Sequence, residues 1–402
     1  MPENIVIIGA GQAGAQALQS LRAEGFDGPI TMVGEEAYPP YQRPPLSKAY
    51  LLGKFERARL FLKADAYYAE AGCELILNSL AVGLDRAQCR VELSDGRKLA
   101  YDKLLLVTGA RVRRLKCPGA ELAGVHYLKT IADVDGLQTE FLAGKRIAIV
   151  GGGYIGLEVA AVGAKRGLDV TVFEAMDRLM ARAVSPELSA FYTSEHRRAG
   201  VKIKLGTGVE AIEGEGKVER VIAGGQSYGA DLVLVGIGVI PCQELAAKAG
   251  LGCDDGIVVD QHARTGDPHI WAAGDCTRHV GREGHALRLE CVQNAIDQAK
   301  HAALSMVGKD KIYREVPWFW SDQYDLKLQI AGLARPTDRL VLRGDPKSRK
   351  FAVFHLRDAA VAAVEAVNAA PEYMIGKKLI GDGRKIAPET LADLSIPMKQ
   401  MA

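Results

Sequence analysis

Ile5-Val6-Ile7-Ile8-Gly9-Ala10-Gly11-Gln12-Ala13-Gly14 stands at the head of the chain, and Arg146-Ile147-Ala148-Ile149-Val150-Gly151-Gly152-Gly153-Tyr154-Ile155-Gly156 repeats its pattern further on. Each is a β-branched run leading into G-x-G-x-x-G, the spacing of a strand, a tight turn and a helix that cradles a dinucleotide pyrophosphate. An Ala/Leu-rich helical stretch comes after each (Ala15 to Ala23, Leu157 to Arg166), stopped at Gly25 or Gly167. A short β-branched strand then ends in a carboxylate, Glu35 or Glu174. The first glycine makes the turn, the second lets phosphate approach the main chain, and the third lets helix and strand pack closely. Free N–H groups at the helix start hold the phosphate, and the acid about 20 residues on accepts the ribose hydroxyls. Two such units imply two dinucleotides on two doubly wound α/β domains.

The rest of the chain agrees with a soluble enzyme. At 402 residues it exceeds one ordinary core, and 48% hydrophobic with 25% charged residues is a globular composition. A net charge of +2 without a basic block gives no support for nucleic acid or a membrane surface as partner. The first strand begins by Ile5, which leaves no room for a signal peptide, so a cytoplasmic protein is expected. The seven cysteines form no C-x-x-C pair, which argues against a disulfide framework and a cysteine zinc site, and no metal is expected.

The first unit runs to about residue 112, closing on Lys103 to Val107 and Thr108-Gly109-Ala110, and the second spans 113–242. Ile270-Trp271-Ala272-Ala273 reads as a buried strand ending at Gly274-Asp275, with a long Ala-rich helix from Gln293 to about Met306. This piece, 243–318, is expected to return to the first domain. From 319 the pattern turns to hairpin strands, Arg339 to Leu342 and Phe351 to Phe354 about a turn at Gly344 to Ser348, hence a third, α+β domain over 319–402.

Several runs then carry a resemblance: Arg43-Pro44-Pro45-Leu46-Ser47-Lys48, Gly153 to Glu158, Ala273-Gly274-Asp275, Glu290-Cys291-Val292-Gln293-Asn294, and Val316 to Tyr324. In these the chain resembles the two-dinucleotide flavoprotein reductases of glutathione-reductase-like architecture. Within them it is similar to the NADH-dependent ferredoxin reductases of oxygenase systems, of the putidaredoxin reductase and aromatic-ring dioxygenase type. The resemblance implies FAD in the first unit, with Gly9, Gly11 and Gly14 at the pyrophosphate, Glu35 at the ribose, and Arg43, Thr108, Gly109 and Ala110 nearby. It implies Asp275 on the ribityl chain or pyrophosphate, the N–H of Val292 on the flavin pyrimidine, and Lys48 and Trp320 at the ring. NADH would take Gly151, Gly153, Ile155 and Gly156, with Glu174 on the ribose, Arg182 and Gly238 beside it, and Glu158 and Glu290 near the nicotinamide. Lys48, Glu158 and Trp320 would be the catalytic set, and Pro44 to Ser47 reads as the start of a helix whose first turn fixes Lys48.

The implied partner is a small 2Fe-2S ferredoxin, served by a monomer or homodimer. Arg111, Arg113, Arg114, Lys116, Arg335, Arg339 and Arg343 are the cations that could steer an acidic partner. The alternatives are an NADH oxidase or peroxidase of the same fold, which would need a cysteine close after the first unit, and a flavin signalling protein resembling apoptosis-inducing factor, which would carry targeting and basic insertions.

Overall fold

Both glycine-rich runs head a parallel sheet in the computed structural model, which describes residues 3–401. The chain divides into two units. One takes the chain up to Gln42 with Arg57–Arg111 and Val239–Pro317, and the other takes Arg43–Glu56, Val112–Gly238 and the chain from Trp318 onward. Segment 43–56, expected with the first dinucleotide unit, therefore groups with the second, and so does the C-terminal region.

The first unit is built on Ile5–Ile8 (β1), Ile30–Val33 (β2), Cys73–Ile76 (β3) and Lys103–Leu106 (β4), joined by Ile270–Ala272 (β10) from far along the chain. The order is β10-β4-β1-β2-β3, with every pairing parallel. A parallel sheet is covered on both faces, so its strands must be apolar throughout. All residues of β1, β2 and β10 are accordingly buried. Helices Gln12–Ala23 (α1) and Val292–Met306 (α5) share one cluster in which Ala13 and Ala17 meet Ala295, Ala299, Ala302 and Ala303. Small side chains let these two helices lie close.

In the second unit Val125–Tyr127 (β5), Arg146–Val150 (β6), Asp169–Phe173 (β7), Lys202–Lys204 (β8) and Leu232–Val235 (β9) form a second parallel sheet in the order β8-β7-β6-β9-β5. Ile131–Glu140 (α2) follows β5, and Tyr154–Arg166 (α3) comes directly after β6 and ends at Gly167, whose φ of +82° is a left-handed cap that glycine adopts without strain. Trp318–Gln323 (β11), Leu326–Gly332 (β12), Arg339–Asp345 (β13), Lys350–Arg357 (β14) and Ala360–Val367 (β15) make the antiparallel C-terminal sheet, ordered β11-β12-β15-β14-β13.

A buried carboxylate ties this sheet to the helix Pro186–Arg198 (α4). Glu365 on β15 is fully buried and accepts from the Ser185 backbone N–H at 2.9 Å and from its hydroxyl at 2.5 Å. An anion at a helix N-terminus is favoured by the dipole, which offsets part of its desolvation.

Two buried imidazoles make the fold acid-sensitive. Burial lowers His196 and His279 from the ordinary 6.5 to about 4. Between these values the unfolded chain takes up protons that the folded chain refuses, so stability falls as pH drops from about 6.5 to about 4, by up to about 1.4 kcal/mol per pH unit per imidazole. Urea midpoints at pH 7 and pH 4.5 check this, and equal midpoints would count against it.

Candidate functional site

The carboxyl ends of parallel strands share one edge, the edge at which α/β sheets bind ligands. In the first unit that edge carries Gly9 after β1, Glu35 after β2, Thr108 to Ala110 after β4 and Asp275 after β10. A Cβ added at Gly9 would lie 2.2 Å from the Val107 carbonyl oxygen, and one at Gly14 would lie 2.2 Å from that of Gly9. One at Gly11 meets nothing within 4 Å. The two outer glycines are thus closed by protein and the middle one faces open space, as a pyrophosphate cradle requires. Gly11 also caps α1 without a side-chain hydrogen bond, which leaves its first N–H groups for an anion. Glu35 is exposed and Asp275 half-buried. Val292 is the first residue of α5, where Cys291 Sγ accepts the Asn294 N–H at 3.4 Å.

The second unit repeats the device. Cβ atoms at Gly151 and Gly156 would meet the Gly236 and Gly151 carbonyl oxygens at 2.4 and 2.2 Å, while one at Gly153 meets nothing. Gly153 caps α3, again with no side-chain bond, and Ile155 in its first turn is exposed. Glu174 stands after β7, its carboxylate accepting from the N–H groups of Gly152 (2.7 Å) and Met176 (2.8 Å). Arg182 lies beside Gly238, its guanidinium 3.8 Å from the place of a Cβ there. Both cradles fit a dinucleotide.

Lys48 and Glu158 form an ion pair of 2.7 Å within the second unit. Glu158 sits in the second turn of α3 and is only 3% exposed, so it is a buried charge rather than a surface ion. Besides Lys48 it accepts from the hydroxyls of Ser47 (2.5 Å) and Ser321 (2.7 Å). A buried carboxylate is stable only when its lone pairs are so occupied. The two serines are functional candidates that sequence reasoning missed. Both lie inside the runs that carry the resemblance, but a serine gives no signal of what it touches. Trp320, on β11 with Ser321, is half-buried, its ring centroid 5.6 Å from that of Trp318.

The helix expected at Pro44–Ser47 and the surface role expected of Arg343 need correction. Pro44–Ser47 is one 3₁₀ turn rather than the start of an α-helix, because the N–H groups of Lys48 (3.1 Å) and Tyr50 (2.9 Å) both return to Pro45, closing a turn instead of beginning a ladder. Arg43 groups with the second unit and donates to the Lys129 carbonyl. Glu290 belongs to the first unit, where it pairs with Arg288. Arg343 cannot steer a partner: it is buried and donates to the carbonyls of Leu391, Asp393 and Ile396. Arg111 pairs with Glu244 at 2.6 Å, Arg114 lies 4.1 Å from the Tyr127 ring centroid, and Arg113 and Lys116 are exposed. Among the described residues no helix is long and apolar enough to cross a membrane.

Comparison with known proteins places this geometry in a known setting. Residues 3–299 match the model of the pyridine nucleotide-disulphide oxidoreductases, and residues 318–402 match a reductase C-terminal model. The chain is 46% identical over 400 residues to rhodocoxin reductase of Rhodococcus erythropolis, covering 98% of this chain and 93% of that one. It is 40% identical over 399 residues to the ferredoxin--NAD(+) reductase component of the anthranilate 1,2-dioxygenase system of Burkholderia cepacia, covering 98% of each. The crystal structure of a covalent putidaredoxin reductase-putidaredoxin complex superposes with a TM-score of 0.97 at 40% identity, over 99% of this chain and 98% of that one.

Proposed function

The chain belongs to the pyridine nucleotide-disulphide oxidoreductase family, and from that premise we propose that it is the FAD-dependent reductase of an oxygenase system, oxidising NADH and supplying electrons to a small 2Fe-2S ferredoxin. The observation that carries the reading is the presence in one chain of two glycine cradles, each with an open middle glycine. FAD is assigned to the first and NADH to the second. Flavin supplies the needed chemistry: it accepts two electrons together and releases them singly.

In this reading Gly9, Gly11 and Gly14 hold the FAD pyrophosphate, Glu35 its ribose, and Asp275 and the N–H of Val292 its flavin half. Gly151, Gly153 and Gly156 hold the NADH phosphates, with Glu174 on the ribose and Arg182 beside Gly238. Lys48 supplies positive charge for the reduced flavin, Glu158 fixes that charge, and Trp320 serves the ring edge. Relatives that act as oxidases use a cysteine thiolate. Cys73, the first cysteine in the chain, is buried on β3 and burial pushes its thiol up to about 11, so it offers no such nucleophile.

NADH-dependent cytochrome c reduction should rise at least about tenfold when a suitable two-iron ferredoxin is added, and that stimulated rate should fall by about tenfold at high salt if Arg113, Lys116 and their neighbours steer docking. Equal turnover with oxygen alone would overturn the reading in favour of an oxidase. NADH should be preferred to NADPH by at least about tenfold in kcat/KM, because a 2′-phosphate would meet the Glu174 carboxylate. Arg178 is committed to the carbonyls of Val184 and Ala181, which leaves Arg182 to soften the preference. Equal kcat/KM for the two nucleotides would refute this.

A further inference from the structure

Glu158 is also the terminus of a longer chain of buried polar groups. Ser321, which donates to Glu158, lies 3.2 Å from the Gln323 amide nitrogen. The Gln323 amide oxygen lies 2.8 Å from His196 Nε2, and His196 Nδ1 lies 2.8 Å from the Tyr324 hydroxyl. Ser321, Gln323 and His196 are each no more than 1% exposed. Such a run of satisfied groups costs conformational entropy and desolvation, and nothing in sheet packing demands it.

The direction of every bond is set from the far end. An ionised carboxylate only accepts, so Ser321 must donate to Glu158, and its oxygen is left to accept from the Gln323 amide N–H. The Gln323 oxygen then faces His196, which must carry its proton on Nε2, so Nδ1 accepts from Tyr324. Burial keeps His196 neutral down to about pH 4, so this polarity holds across the physiological range. The charged or titratable groups around the run include Lys48, Tyr154 and Tyr192 near Glu158, Asp322 on the strand between Ser321 and Gln323, and Glu195, paired with Arg349, near Tyr324.

A second observation stands apart from the network. Tyr324 occupies the two-residue turn between β11 and β12 with φ of +59°, where hairpins favour glycine, asparagine or aspartate. An aromatic residue held in the left-handed region is strained, and such strain persists where the surroundings require it. Here it places the phenol on His196.

We infer that Tyr324, His196, Gln323 and Ser321 form a one-way hydrogen-bond relay that holds Glu158 as a fixed anion facing Lys48, with Ser321 and Gln323 as positioning residues for that charge pair. The relay itself rests on the hydrogen bonds; only its consequence for hydride transfer rests on the function proposed above.

The test is the tautomer of His196, read by nitrogen NMR on the FAD-loaded protein labelled at its eight histidines, with His196 assigned by its loss in His196→Gln. The parent should show the Nε2–H form. Ser321→Ala frees the Gln323 amide to flip and should give a tautomer mixture, and Glu158→Gln should reverse the relay to Nδ1–H. Tyr324→Phe, which removes one hydroxyl, should leave Nε2–H in place, because the lock comes from the Glu158 end. A tautomer unchanged in both Ser321→Ala and Glu158→Gln, or lost only in Tyr324→Phe, would overturn the relay. Ser321→Ala should also slow flavin reduction by NADH about fivefold at unchanged NADH affinity. A tautomer shift with no rate change would uphold the relay while removing Glu158 from catalysis.

Discussion

Replacing Lys48 by Met is expected to lower the rate of anaerobic flavin reduction by NADH at least about tenfold while FAD content stays full. The ammonium is held rather than mobile: it sits 2.7 Å from Glu158, 3.3 Å from the Pro44 carbonyl, and at the end of a turn that two prolines stiffen. Its side chain is only 20% exposed, so water screens its charge weakly. A fixed positive charge in such a place favours the electron-rich reduced ring over the oxidised one, and it needs no reorganisation when electrons arrive. Met keeps the apolar stem of the side chain and removes the ammonium, with its charge and its N–H bonds to Glu158 and the Pro44 carbonyl. Glu158 would lose its counter-charge, which is costly for a buried carboxylate, but the Ser47 and Ser321 hydroxyls still occupy its oxygens. The variant should therefore fold, with a lowered Tm. Stopped-flow spectroscopy of the flavin band checks the rate, and a rate equal to the parent would remove Lys48 from the mechanism.

The second large effect separates the two cradles. Gly156→Val should yield a protein that still carries FAD but that NADH reduces at least about a hundredfold more slowly, with NADH affinity lost. A single Cβ there would lie 2.2 Å from the Gly151 carbonyl oxygen and 3.2 Å from Ile149, so α3 must move away from β6 and the phosphate-facing N–H groups move with it. Gly14→Val makes the equivalent intrusion against Gly9 in the first cradle and should instead yield protein without flavin. Flavin absorbance on purification and NADH titration read the two outcomes separately. The reverse pattern would exchange the assignment of FAD and NADH between the cradles.

Much of this arrangement was legible because it is local. The two strand–turn–helix units, their helix stops and their terminal acids are dictated by residues close in sequence, where glycine geometry and apolar periodicity leave few alternatives. The hairpin between β13 and β14 was legible for the same reason. The helix expected at Pro44–Ser47 was not, since a single turn and a longer helix begin with the same residues, and only the hydrogen bonds returning from Lys48 and Tyr50 to Pro45 decide between them. Arg343 looked like any surface arginine until β13 placed it under the segment from Leu391 to Ile396.

From the sequence alone came the fold class and the duplicated cradle, because both rest on backbone rules, while Lys48 and Glu158 came as candidates through the family resemblance that contiguous motifs carry. Only the tertiary structure decided what surrounds Glu158. Ser47, Lys48, His196, Ser321 and Gln323 come from segments far apart in the chain, and burial of a carboxylate obliges them to meet, since an anion withdrawn from water must find its partners wherever the fold delivers them.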